Sequence, residues 1–151
     1  MIVRRLALTD AAVVAQLIAL QRAAYQVEAD LIGGAAIPAM TETAAELAAC
    51  GETFLGVGDE EIVAALSYKR AGGVVDIHRL VVHPVAFRRG LATALLDALG
   101  EAERDATEWT VATAEANAPA MTLYARRGFE LVGRLTAPGG VAIVRGVRRQ
   151  P

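Results

Sequence analysis

Cysteine is almost missing from this 151-residue chain: Cys50 stands alone, so no intramolecular disulfide can form and no multi-cysteine zinc site can be built. Long apolar runs are missing as well. Hydrophobic residues make up 54% of the chain, but much of that share is alanine, and no stretch reaches the roughly 18 uncharged apolar residues a membrane-spanning helix needs. The first residues include Arg4 and Arg5 but no continuous apolar run ending at a small-residue cleavage site, so the protein is expected in the cytoplasm. An excess of positive charge is also lacking. The formal net charge of −2 does not suit a domain that displaces counterions from nucleic-acid phosphates, and neither a nucleic-acid nor a membrane partner is expected. Arg145, Arg148 and Arg149 read as the exposed basic face of a last strand or a solubilising tail. With no repeat, low-complexity tract or Gly/Ser/Pro linker, one domain over residues 1–151 is the expectation.

Ile2 to Leu6 suits a strand, and Thr9-Asp10 caps a helix with apolar spacing at Val13, Val14, Leu17 and Ile18. Tyr25 to Leu31 reads as a second helical piece, broken by Gly33-Gly34 and Pro38. Thr43 and Glu46 have capping-box spacing at the start of a further helix ended by Gly51. Thr53 to Val57 and Ile62 to Tyr68 form a hairpin, and Val74 to Val82 reads as a central strand stopped by Pro84. A helix follows from Gly90 to about Arg104, then a strand from Trp109 to Ala114. Asn117 caps a helix ended at Gly128, and strands at Phe129–Leu135 and Val141–Val147 complete the order β-α-α-β-β-β-α-β-α-β-β. This pattern implies an α/β (α+β) fold, a mixed, mostly antiparallel sheet flanked by helices.

The stretch Leu80-Val81-Val82-His83-Pro84-Val85-Ala86-Phe87-Arg88-Arg89-Gly90-Leu91-Ala92-Thr93 runs from a buried strand through a turn into a helix. The first amides of a helix have no intrahelical partner and carry the positive end of its dipole, so a phosphate can satisfy several together. Gly90 and Ala92 leave room for close approach, and Arg88 and Arg89 add charge. A Walker loop is excluded, because no lysine followed by Ser/Thr comes after the glycine.

The later stretch Asn117-Ala118-Pro119-Ala120-Met121-Thr122-Leu123-Tyr124-Ala125-Arg126-Arg127-Gly128-Phe129 completes a pattern. Together the two resemble the GNAT superfamily of N-acetyltransferases. The first is similar to that family's Gln/Arg-x-x-Gly-x-Gly/Ala through Gly90 and Ala92, with Phe87 replacing the usual Gln/Arg. The second is similar to its Asn-x-x-Ala-x-x-Leu-Tyr-x-x-x-Gly-Phe through Asn117, Ala120, Leu123, Tyr124, Gly128 and Phe129. The resemblance implies acetyl-CoA as cosubstrate, no metal, and transfer of an acetyl group to a primary amine of a small molecule or peptide; a non-catalytic acyl-CoA sensor is the alternative. It further implies that backbone groups at Val81 and Val82 face the pantetheine, that Arg88, Arg89, Gly90, Leu91, Ala92 and Thr93 hold the pyrophosphate, and that Asn117, Ala120 and Tyr124 line the cofactor arm. Tyr124 would approach the thioester sulfur.

A lysine-like amine is neutral only about once in 10³ to 10⁴ molecules at pH 7, so attack on a thioester needs a base or a water chain. Asp76 and His78 share one face of the central strand by its two-residue period. His78 is the better match, since an imidazole titrates near the working pH; it reads equally as a hydrogen-bonded strand histidine. Full proton transfer from a phenol to a departing thiolate is uphill by about 2 kcal/mol, so Tyr124 fits hydrogen-bond donation better. The oxyanion would meet the N–H near Val82. Cys50 gives no sign of being a nucleophile. Tyr25, Glu28, Asp30 and Tyr68 are candidate acceptor-pocket residues, or ordinary exposed helix charges in the case of the carboxylates. Oligomeric state is open, a homodimer included.

Overall fold

Asp10 opens the first helix, α1 (Ala11–Leu31), by accepting the Ala12 N–H at 2.9 Å. Val14, Leu17, Ile18, Gln21, Tyr25 and Ala29 recur at helical spacing and are all buried. Tyr25 therefore continues the same stripe, and the separate helical piece expected from Tyr25 is instead the last part of one 21-residue helix. Thr43 and Glu46 cap α2 (Ala44–Ala48) reciprocally: the Thr43 N–H donates to Glu46 at 2.9 Å and the Glu46 N–H to Thr43 at 3.2 Å.

The computed structural model describes residues 2–34 and 37–149. Its strands are β1 (Val3–Leu6), β2 (Thr53–Val57), β3 (Ala64–Ala71), β4 (Val74–Val82), β5 (Glu108–Ala114), β6 (Glu130–Thr136) and β7 (Ala142–Arg149), with α3 (Leu91–Ala102) between β4 and β5 and α4 (Ala118–Arg126) between β5 and β6. They form one seven-stranded sheet in the order β1-β2-β3-β4-β5-β7-β6, antiparallel throughout except for the parallel pair β4–β5. The mixed, helix-flanked sheet is thus as expected. The hairpin strand expected from Ile62 begins at Ala64, because the Ile62 N–H donates to the Gln16 side chain at 2.9 Å instead of joining the ladder.

Helices cover both faces. On one, Leu17, Ile18, Leu20 and Leu47 of α1 and α2 pack on Phe54, Ala65 and Val81. On the other, Leu91, Leu95 and Leu99 of α3 and Tyr124 of α4 pack on Leu66, Val75, Ile77, Trp109 and Val111. Edge strand β6 is exposed along its whole length. No described helix is long and apolar enough to cross a membrane.

Candidate active site

Strand β4 stays beside β3 to its end, but it pairs with β5 only over Val74 to Ile77. Beyond Ile77 the parallel neighbours part and leave a gap in the sheet. The same position carries an irregularity: Tyr68 opposes Ile77 and Ser67 opposes Arg79, so His78 is an extra residue with no partner on β3. A bulge of this kind resets the alternation of faces. Ile77 and Leu80 consequently both point to the α3 side, while Arg79, over the Phe54 ring at 5.6 Å, and Val81 point to the α1 side.

The turn after β4 is tight and contains two residues in the left-handed region. His83 Nδ1 accepts the Val85 N–H at 3.2 Å and holds the turn Pro84–Ala86. Arg88 has φ 64°, the only positive value at a non-glycine among the described residues, and Gly90 has φ 72°. A Cβ on Gly90 would meet nothing within 4 Å, so glycine is required there by conformation rather than by space. Gly90 caps α3 without a side-chain bond, leaving the first amides of the helix to whatever lies in front of them.

These amides face a cavity of about 580 Å³ lined by Val81, Val82, Arg88, Gly90, Leu91, Ala92, Thr93, Asn117, Ala120 and Tyr124, with Tyr25 and Glu28 contributed by α1. The residues expected to bind the cofactor are thereby brought together, apart from Arg89, which is exposed and outside the lining. Positive charge, unpaired helix amides and an apolar channel suit an adenine-nucleotide thioester. Asn117 opens α4 by accepting the Ala120 N–H at 3.3 Å. Tyr124 packs edge-to-face on Phe129 at 5.4 Å and is 8% exposed, yet among the described residues nothing hydrogen-bonds its hydroxyl. Burial, then the nearby Glu28 and Tyr25, raises its phenol above the ordinary value, which keeps it a proton-bearing donor.

A second cavity, about 380 Å³, opens through the gap and shares Tyr25, Glu28, Leu80, Asn117, Ala120 and Tyr124 with the first. His78 lines it; its Nε2 lies 3.2 Å from Asp76 Oδ2 and its Nδ1 3.9 Å from Glu52 Oε2. Asp76 also accepts the Thr110 hydroxyl at 2.6 Å. Asp76 and His78 are therefore neighbours on one face, as their spacing predicts, and only His78 reaches the cavity.

The remaining predictions divide. Tyr25 and Glu28 reach both cavities, and burial pushes the pKa of each upward, the Asn117 side chain partly offsetting it for Glu28. Tyr68 does not reach either. It lies on the α3 side, its hydroxyl donates to Glu103 at 2.9 Å, and burial followed by that bond pushes its phenol up to about 12. Asp30 is exposed and accepts from Gln26 at 3.2 Å. Cys50 lines neither cavity and packs against the α1 cluster.

The sequence reading missed Arg79. Its Nε donates to Glu52 at 2.9 Å, one terminal nitrogen to Gln21 at 2.7 Å and to Glu42, and the other to Glu42 and Glu52 at 3.0 Å each. Ser67 donates to Glu52 at 2.6 Å. Arg79 holds the Glu42 carboxyl below its ordinary range; for Glu52 burial pushes upward, but the bonds from Arg79 and Ser67 outweigh it and the net direction is down. A charged residue within the apolar run Ile77 to Val82 was the available signal, since a buried guanidinium must find partners.

The chain belongs to the acetyltransferase (GNAT) family, whose family model matches residues 16–129. It is 34% identical over 135 residues to UPF0157 protein YqkA of Bacillus subtilis (strain 168), a match that covers 89% of this chain and 39% of that protein, so the chain spans about two-fifths of the relative's length. Among solved structures, the PaiA N-acetyltransferase of Thermoplasma acidophilum in complex with coenzyme A superposes with a TM-score of 0.76 at 16% identity, covering 99% of this chain and 98% of that one. The ribosomal-protein-S18-alanine N-acetyltransferase of Escherichia coli gives 0.78 at 16% identity, covering 98% and 92%. At such identities the likeness establishes the fold.

Proposed function

We propose that the chain transfers an acetyl group from acetyl-CoA to a primary amine of a small molecule or peptide by direct attack within a ternary complex. The observation that carries this is the meeting of two cavities at Tyr124, one with the phosphate-type turn and helix amides at its end, the other reached through the gap between β4 and β5. Amides of Gly90 to Thr93, with Arg88, hold the pyrophosphate. Val81 and Val82, freed from β5, offer backbone groups to the pantetheine amides, and the Val82 N–H stabilises the oxyanion. Tyr124 donates to the departing thiolate. His78, held by Asp76, takes the amine proton directly or through water. No acyl-enzyme is needed, and the only thiol lies outside both cavities.

Calorimetry with acetyl-CoA, paired with thiol detection over a panel of primary amines, tests the reading. Heat on binding and release of free CoA only when both substrates are present are expected. Binding without amine-dependent release would replace catalysis with acyl-CoA sensing, and the absence of binding would remove both.

A further inference from the structure

Glu28 reaches the junction of the two cavities from α1, beside Asn117 and Tyr124. Its carboxylate is half-buried, is influenced by the Asn117 side chain, and has no ion-pair partner among the described residues. The one arginine lining the acceptor cavity cannot serve it. Arg79 has five N–H groups, and its five bonds go to Glu42, Glu52 and Gln21. His78 stands against Asp76 and Glu52. Of the titratable groups that share a cavity with Glu28, Tyr25 on the same helix and Tyr124 on α4 are kept neutral by burial, and Arg88, on the turn before α3, lines the first cavity only. Among the described residues the acceptor cavity therefore carries a carboxylate without an ion-pair partner next to the hydroxyl at its junction with the first cavity, and its one arginine is fully engaged.

A buried charge without a counterion is costly, and an arriving ammonium removes that cost. An acceptor carrying its own carboxylate would instead add repulsion and find no unoccupied guanidinium among the described residues of the acceptor cavity. We propose that Glu28 receives the acceptor in its ammonium form beside Tyr124, restricting acceptors to cationic amines with no carboxylate next to the reacting nitrogen. This rests on the acetyl-transfer reading and specifies its acceptor. Glu28 supplies binding and orientation; the ammonium then loses one proton toward His78, the nitrogen forms its bond to the acetyl carbon as the carbon–sulfur bond breaks, and the second proton leaves as the amide forms, giving N-acetylamine, CoA thiol and one proton.

The test compares butylamine, aniline, which is neutral at neutral pH, and 2-aminopentanoate, which is butylamine with a carboxylate beside the nitrogen. Binding to the CoA-saturated protein is measured by calorimetry, and thiol release from acetyl-CoA separately. The intact protein should bind butylamine at least tenfold more tightly than either of the others. Glu28→Gln should weaken butylamine roughly 10- to 100-fold, the scale of one hydrogen bond to a charged group, while aniline and CoA are unaffected; Glu28→Asp should recover part of the preference. A merely structural role would lower butylamine and aniline alike, and that result, or no butylamine binding at all, overturns the proposal. Glu28-dependent butylamine binding without thiol release would support the Glu28 site while removing acetyl transfer.

Discussion

Two polar groups stand at the acceptor cavity in opposite conditions. Around Arg79 every guanidinium N–H has a partner, drawn from α1, β2's approach and the segment before α2, so that the bulged strand is tied to the helices over it. Around Tyr124 and Glu28, which line the same cavity, a hydroxyl has no hydrogen-bond partner and a carboxylate no cation among the described residues. A network that is complete without a ligand maintains the fold. A cluster that is incomplete without one points to what binds there.

That contrast can be broken most forcefully at Arg79. Arg79→Met leaves Glu42 and Glu52 in a confined space with no cation and should cost about 3–5 kcal/mol in urea unfolding, with most recovered when both glutamates become glutamine. Both carboxyls are depressed in the folded state, so the network's contribution is present above the unfolded carboxylate range, near pH 4.3, and is lost as pH falls through the lower folded values. Arg79→Met should lack that acid-side loss. Tyr124→Phe should do the reverse: turnover falls about 100-fold, the scale of one lost transition-state donor, whereas unfolding free energy moves by less than about 0.5 kcal/mol because no bond among the described residues is broken. The smallest effect is expected from Glu28→Gln on stability. Burial raises the folded Glu28 carboxyl above its unfolded value, so the stability that its protonation contributes is present below the unfolded value and lost as pH rises through the folded one. Thermal melts should show the glutamine variant melting higher at neutral pH, the difference closing on acidification.

The parts legible in the sequence were those decided by near neighbours. Asp10, the Thr43–Glu46 pair and Asn117 cap their helices because each bonds an amide two or three residues on. The Gly90 turn was legible for the same reason. Less visible was whatever depends on a strand's partner. A two-residue period puts His78 with Asp76 and places Arg79 on the opposite face; the unpaired residue at His78 brings Arg79 to the α1 side as well. The partners of Arg79 come from positions 21, 42 and 52, on separate elements, and nothing local marks them. Tyr68 suggested a pocket residue by type alone, whereas its strand parity turns it toward Glu103.

The parting of β4 from β5 gives the sheet a seam within its own interior, in addition to its outer margins. An outer margin such as β6, where Leu131 and Leu135 are 63% and 60% exposed, is open to any extended polypeptide. At the seam β5 stands across the opening, so whatever extends β4 there must be slim as well as rich in amides. Girth thus becomes a sieve for whatever could extend β4 at the seam.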